Sequence, residues 1–563
     1  TQVTLDVRVD TAQVSGPSTG GETLGARNPS AAATATLEIV ADIHETTREA
    51  KDLSRFMKTE GGLVDHSPEE IKAFQRVGFE AKVMAFFSAS GKASTGSWDG
   101  VIVLPQGAAT SPHSNRKAYR KSQQAFFLDT GDFDRLYRGN NQAHGYKIQL
   151  FEINVMPRSL SSHPEHEKSW GFAPKSLEAF GAAVEEAARH IKEHHRVNGA
   201  KYLVFGEPEA NNLEDGTWFG CGPIADYCKP GDDPAELYYK TFTTAYHAIK
   251  RADRTAEIIG PTSGVCDANL ARRIANDTRK GFDEFVEAIA LYNRTNTATP
   301  VNLTTISWQG YDWDGSGRLT DCVEQVKRTL ARNGFDPEKI KQHIIGWNGN
   351  WATSDPIPMP AHKRAAYLAA NILEQVKPNG GKIDIEEAYI YTWNLGRSPD
   401  PVLQGSDPGQ GLVSTKPRKG KEGICLEAPY AAMEMLHEMR GGTREGKGHF
   451  VRTTLAGVTP GRVQVATTKH ARGKFIMMIA NNSKETYLMN LAFDRLPFPE
   501  ESEVYYSVQR IDASNGSTCR GLEKGTTHKA KLTYTKDKRA LKLPTLALPQ
   551  HSITMVTVWP AGK

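Results

Sequence analysis

Y-L-V-F-G-E-P-E (202–209) runs four mostly apolar residues straight into Gly-Glu-Pro. Tyr202 to Phe205 show no polar alternation, the pattern of a short strand covered on both faces. The run stops at Gly206, and Pro208 restricts the backbone directly after Glu207. A carboxylate therefore stands at the C-terminal tip of a buried strand. Working outward, similar apolar runs recur at 36–41, 81–87, 148–155, 256–260, 303–308, 343–347 and 388–393. Between them lie stretches with helical spacing, such as Leu177, Phe180, Val184, Ala188 and Ile191 in 176–193. Others read at 234–251, 361–376 and 425–439. Eight strands alternating with helices predict an α/β chain with a (β/α)8 TIM barrel over residues 36–444. A doubly wound open sheet would place a Gly-rich phosphate loop after an early strand, and no G-x-G-x-x-G follows the first one.

The pattern changes near residue 445. Helical periodicity gives way to G-R-V-Q-V-A-T-T, F-I-M-M-I-A, E-V-Y-Y-S-V and S-I-T-M-V-T-V, with turn signals such as Asn515-Gly516 between them. Residues 445–563 are thus expected to form a C-terminal β-sandwich domain. Residues 1–35 read as one strand, T-L-D-V-R-V-D, and a Gly/Ser/Ala-rich connector that could join that sandwich.

The composition is that of a globular protein, 39% hydrophobic and 24% charged. Net charge is +4 over 563 residues, too balanced to argue for a nucleic-acid partner. No run of eighteen apolar residues suggests a membrane span. Six cysteines lack a Cys-x-x-Cys pair, and Cys221 and Cys228 flank a loop that a disulfide could close. The 17 histidines show no metal-ligand spacing, and His194-His195 reads as a solvated helix end. No metal or cofactor is expected. A chain beginning at Thr1, with several Asn-x-Ser/Thr sequons, suggests a processed secreted or periplasmic protein. A homo-oligomer stays open.

In β/α barrels the chemistry sits at the C-terminal strand ends. Those ends carry Asn154, Glu207, Trp308, Gln309, Tyr311, Trp347, Asn348 and Trp393, with Trp351 just beyond. Indole faces stack on sugar C–H faces, and amides bond sugar hydroxyls, so this set predicts an oligosaccharide or polysaccharide partner. Glu207 at an aromatic mouth suits a general acid, since partial desolvation raises a carboxyl pKa.

These residues resemble glycoside hydrolase family 39, the β-xylosidases and α-L-iduronidases of clan A. Glu207-Pro208 is similar to that clan's acid/base motif. F-D-R-L-Y-R (133–138) with K-I-Q-L-F-E-I-N-V-M-P-R-S-L (147–160) resembles the family's strand-three region. A-Y-H-A-I-K (245–250) with I-I-G-P (258–261) resembles strand five. H-I-I-G-W-N-G-N-W (343–351) with A-A-Y-L-A (365–369) resembles the nucleophile segment, and L-P-Q-H-S-I-T-M-V-T (548–557) the last sandwich strand. The resemblance implies a retaining glycosidase with Glu207 as acid/base. It also implies two departures. Gly206 replaces the Asn that holds the 2-hydroxyl of the reacting sugar, and Gly346 stands where the family has its nucleophilic Glu. Three readings of that second gap stand together: a nucleophile removed by engineering, an inverting enzyme with Asp312 or Asp314 as base, or a sugar-binding barrel without turnover.

Overall fold

The protein is described here from a computed structural model, which covers residues 35–59, 67–79, 83–85, 102–104, 116–121, 124–144, 148–153, 156–165, 172–205, 234–263, 278–312, 318–349, 360–390, 411–414, 424–442, 447–458, 461–499, 502–516, 525–533 and 540–561. Eight strands make one parallel sheet: β1 (Lys58–Thr59), β2 (Val83–Ala85), β3 (Leu150–Ile153), β4 (Lys201–Val204), β5 (Glu257–Ser263), β6 (Thr305–Asp312), β7 (Lys341–Gly349) and β8 (Ile385–Ile390). Their order is β1-β8-β7-β6-β5-β4-β3-β2, so from β2 to β8 neighbours in the chain are neighbours in the sheet, and β1 pairs with β8.

Each strand is followed by a helix: α1 (Pro68–Arg76), α2 (Gly131–His144), α3 (Leu177–Glu193), α4 (Pro234–Ala252), α5 (Thr278–Thr295), α6 (Leu319–Arg332), α7 (Ala361–Gln375) and α8 (Ala428–Arg440). Local chemistry sets their starts. Ser67 and Glu70 form a reciprocal capping box ahead of α1, with Pro68 in its first turn. The Ser176 hydroxyl accepts the Ala179 N–H at the start of α3. The outer faces of the strands, such as Phe151, Ile153, Tyr202 and Val204, pack on the helices in the largest core. Leu150, Leu203, Ile259, Ile345 and Tyr389, from five different strands, meet in a separate inner cluster. That convergence requires the sheet to curl around its own inner face.

A second, ten-stranded sheet is built mostly from the C-terminal residues. Its strands include β9 (His449–Ala456), β10 (Val463–Lys469), β11 (Phe475–Asn481), β12 (Tyr487–Asp494), β13 (Glu503–Ile511) and β17 (Ser552–Pro560), with β14 (Gly525–Thr533), β15 (Ala540–Lys542) and β16 (Leu546–Leu548) at its margins. Here the sequence reading needs correction. T-L-E-I-V-A is not the first barrel strand: Ala35–Glu49 lies in this second sheet, antiparallel to β9 and parallel to β12. The reason is visible in its burial. Leu37, Ile39, Ala41 and Ile43 are buried, while Glu38, Val40 and Asp42 are not. That alternation belongs to a sheet with one covered face, not to a strand buried on both. The strand expected within residues 1–34 lies outside the described residues.

One face of the second sheet encloses its own core, with Val451, Phe475, Met477 and Val556. The opposite face, with Phe450, Ile476, Met478, Ile553 and Met555, joins the large core beside α7 and α8. Twelve of the fifteen α7 residues are buried, because strands cover one side and the second sheet the other. Deleting residues 446–563 would bare that second side. The truncated chain is expected to be insoluble or molten when its soluble yield and melting are compared with those of the full chain. A truncated barrel that melts cooperatively at the parental temperature would sink this expectation.

Candidate active site

Strand β4 delivers the chain to Glu207. Phe205 directly follows the strand, is fully buried, and gives its N–H to the Ile153 carbonyl at 2.9 Å. Its φ is +56°, a left-handed conformation that a bulky residue rarely takes. Such strain persists only where the surroundings impose it, and it clusters at functional sites. It falls immediately before Gly206-Glu207. Those two residues, with Asn154, Asp314, Trp351 and Trp393, lie outside the described residues, as do Cys221 and Cys228.

Gly346 on β7 is also special. Trp308 on β6 pairs with Ile344, but Gly310 pairs with Trp347, so Gln309 alone opposes two residues. On the other side Ile345 pairs with Tyr389 and Trp347 with Ile390, which leaves Gly346 as the extra residue again. It is a β-bulge with φ +80°, a conformation suited to glycine. The bulge reverses the side-chain alternation beyond it. His343 and Ile345 face inward, yet Trp347 faces the helices, fully buried and edge-on to Phe56 at 6.2 Å. Gly310 lets the indole approach: a Cβ there would come within 3.1 Å of it.

This corrects the aromatic site. Trp308 and Trp347 are both fully buried in the strand–helix core, and the Trp308 N–H donates to Gln342 Oε1 at 3.0 Å. Neither offers a face to a sugar. Gln309, 7% exposed, is on the inner face opposite the bulge. Tyr311 and Asn348 are register partners near the strand ends, and Asp312 pairs with Gly349; the side chains of Tyr311, Asp312 and Asn348 are outside the described residues.

Glu152 is a site residue the sequence reading passed over. It sits on β3 between Phe151 and Ile153, which face the helices, so alternation puts it on the inner face above Leu150. Burial pushes its carboxyl up to about 7. The signal was a single charged residue inside the apolar run I-Q-L-F-E-I-N-V. A half-buried carboxyl of this kind can hold a proton near neutrality.

Toward the other end of the sheet, Glu387 takes Lys201 at 2.8 Å, Lys58 at 3.1 Å and the Tyr389 hydroxyl at 2.8 Å. Burial raises its pKa, but Lys58, His343 and Lys201 outweigh that and hold it well below the usual range. His343, fully buried, has no hydrogen-bond partner for either ring nitrogen among the described residues, and burial lowers its pKa to about 4 against the pull of Glu387. These shifts have opposite signs of linkage. The folded state resists protonating His343, so its contribution is present above pH 6.5 and lost as pH falls to about 4. The folded state favours protonated Glu152, so its contribution is present below pH 4.5 and lost as pH rises to about 7. Each is on the order of 3 kcal/mol across that window. Relative to the parent, His343→Gln should tilt denaturant stability toward low pH and Glu152→Gln toward high pH. Parallel pH profiles for all three chains would refute this.

The histidines also need correction, since they do gather. His190, His194 and His195 surround Asp134, with ligand atoms within 4.8 Å of one another. The cluster links the first turn of α2 to the end of α3.

No known family profile matches the chain. A β-xylosidase from Caldicellulosiruptor saccharolyticus is 29% identical over 232 residues, 40% of this chain, and the match spans only 42% of that relative's length. Among solved structures, a glucosidase from Croceicoccus marinus superposes with a TM-score of 0.58 at 12% identity, over 93% of this chain and 99% of that one. A bacterial orthologue of human α-L-iduronidase gives 0.59 at 12% identity, over 94% of this chain and 85% of that one. The curled parallel sheet with its attached second sheet is therefore the fold of these glycosidase structures.

Proposed function

We propose that this chain is a glycan-acting protein of the glycoside hydrolase type, related to family 39. In this reading the parallel sheet closes as a (β/α)8 barrel between β1 and β2, and the second sheet is a β-sandwich. The barrel spans about 50–444, and the sandwich comprises 445–563 plus the strand Ala35–Glu49. Glu207 is the general acid/base. Gly346 occupies the position of the attacking carboxylate, so this chain binds an oligosaccharide or polysaccharide and turns it over poorly by a retaining route. A protein working outside the cytoplasm fits the disulfide at Cys425.

One observation carries this reading: both of the tips that a retaining site needs depart from ordinary strand geometry. Phe205 is strained directly before Gly206-Glu207, and Gly346 is bulged on β7. The test is Glu207→Gln, read on two aryl glycosides. Loss of an acid catalyst should cost roughly a hundredfold to ten-thousandfold on the poor leaving group. It should spare the good leaving group, which needs no proton. Equal loss on both would remove Glu207 from this role.

The φ of Gly346 also favours a second reading. A strand built around a left-handed glycine is native to glycine, not a trimmed glutamate. The base would then be Asp312 or Asp314, activating water for inversion, with the carboxyls roughly 6.5–9.5 Å apart. Inverted first-formed product would establish this reading.

A further inference from the structure

We propose that Asp134, His190, His194 and His195 form a structural site for a zinc-class divalent cation that clips α2 to α3. The residues come from two elements. His190 and His194 are four apart on α3, so both stand on one helix face, and their rings stack at 4.7 Å. His195 follows the helix and turns its ring almost perpendicular to both, at 87° and 88°. Asp134 faces them from the first turn of α2.

The distances fit one small ion. Asp134 Oδ1 is 2.8 Å from His190 Nε2 and 2.7 Å from His195 Nε2, and His194 Nε2 is 4.0 Å from Oδ2. A tetrahedral zinc with bonds of about 2.0–2.1 Å sets its ligand atoms roughly 3.3 Å apart. The present spacings bracket that value. Three imidazoles and the carboxylate converge within 4.8 Å of one another. A cation at their centre uses all three. Three nitrogens and one carboxylate oxygen select zinc, cobalt or copper over magnesium or calcium.

The surroundings are those of a structural site. Asp134, His190 and His195 are nearly fully buried, while His194 is half exposed and opens the way in from solvent. The Thr130 hydroxyl donates to Asp134 Oδ2 at 3.0 Å and fixes the carboxylate. Tyr137, with its ring 4.3 Å from His195, and Phe133 wall the cluster off. Four protein ligands leave no open position, so the ion would hold structure and not perform chemistry. The clip spans β3, which lies between α2 and α3, and α3 leads directly into β4 and Glu207.

The test uses the full chain, stripped by a chelator and reloaded. Zinc should bind at one ion per chain and raise the melting temperature. Cobalt should give the visible absorption of a tetrahedral site. His194→Gln, at the exposed ligand, and the isosteric Asp134→Asn should each weaken zinc binding at least about tenfold in competition titrations. They should also bleach the cobalt band. Equal melting of stripped and zinc-loaded chains without a cobalt band would overturn the proposal. So would full zinc affinity in both variants, which would put the metal elsewhere.

Discussion

Gly346→Glu is expected to raise hydrolysis of activated glycosides by several orders of magnitude, with retained anomeric configuration. The restored carboxylate would stand on the β7 tip, across the sugar from Glu207, at the roughly 5–5.5 Å separation of a retaining pair. It would split one hard displacement into two easier steps through a covalent intermediate. The same change should cost stability, because an L side chain at φ +80° is strained by about 1–2 kcal/mol. Escape to negative φ would close the bulge and pull Trp347 off Gly310, so the backbone has no free way out. NMR of the first product and a denaturant melt read the two effects. A parent that hydrolyses glycans at an ordinary rate, with no gain in the variant, would leave the inverting site with Asp312 or Asp314 as the account.

Trp347→Ala should be the most destabilising single truncation in the barrel wall, at about 3–5 kcal/mol. Its indole is fully buried, packs edge-on to Phe56 and rests over Gly310. Replacement leaves a large cavity between β7 and the helices. Trp347→Phe should cost far less. It keeps most of the packing and removes an indole N–H that is buried without a hydrogen-bond partner among the described residues. Urea melts of the two variants decide this. A Trp347→Ala chain of parental stability that has lost only glycan affinity would return Trp347 to the binding surface.

What the sequence determined by itself was the order of elements. Seven of the eight expected barrel strands lie where continuous apolar runs stand, because a strand covered on both faces needs such a run. Helices such as α3 and α7 followed from their 3.6-residue spacing, and the second sheet from its alternation. The run at 36–41 reads as a continuous apolar barrel strand, and only the alternating burial of Leu37, Ile39, Ala41 and Ile43 shows Ala35–Glu49 to be one-sided. β1, two polar residues long, has no local signal at all and exists because β8 offers it an edge. The facing of Trp308 and Trp347 was decided only in three dimensions. A run apolar on every position carries no mark of which side faces inward, and a single extra residue at Gly346 reverses everything after it. The His–Asp cluster is tertiary for another reason. Asp134 and His190 are 56 residues apart, and their 2.8 Å contact exists only because the fold brings the first turn of α2 to the last turn of α3.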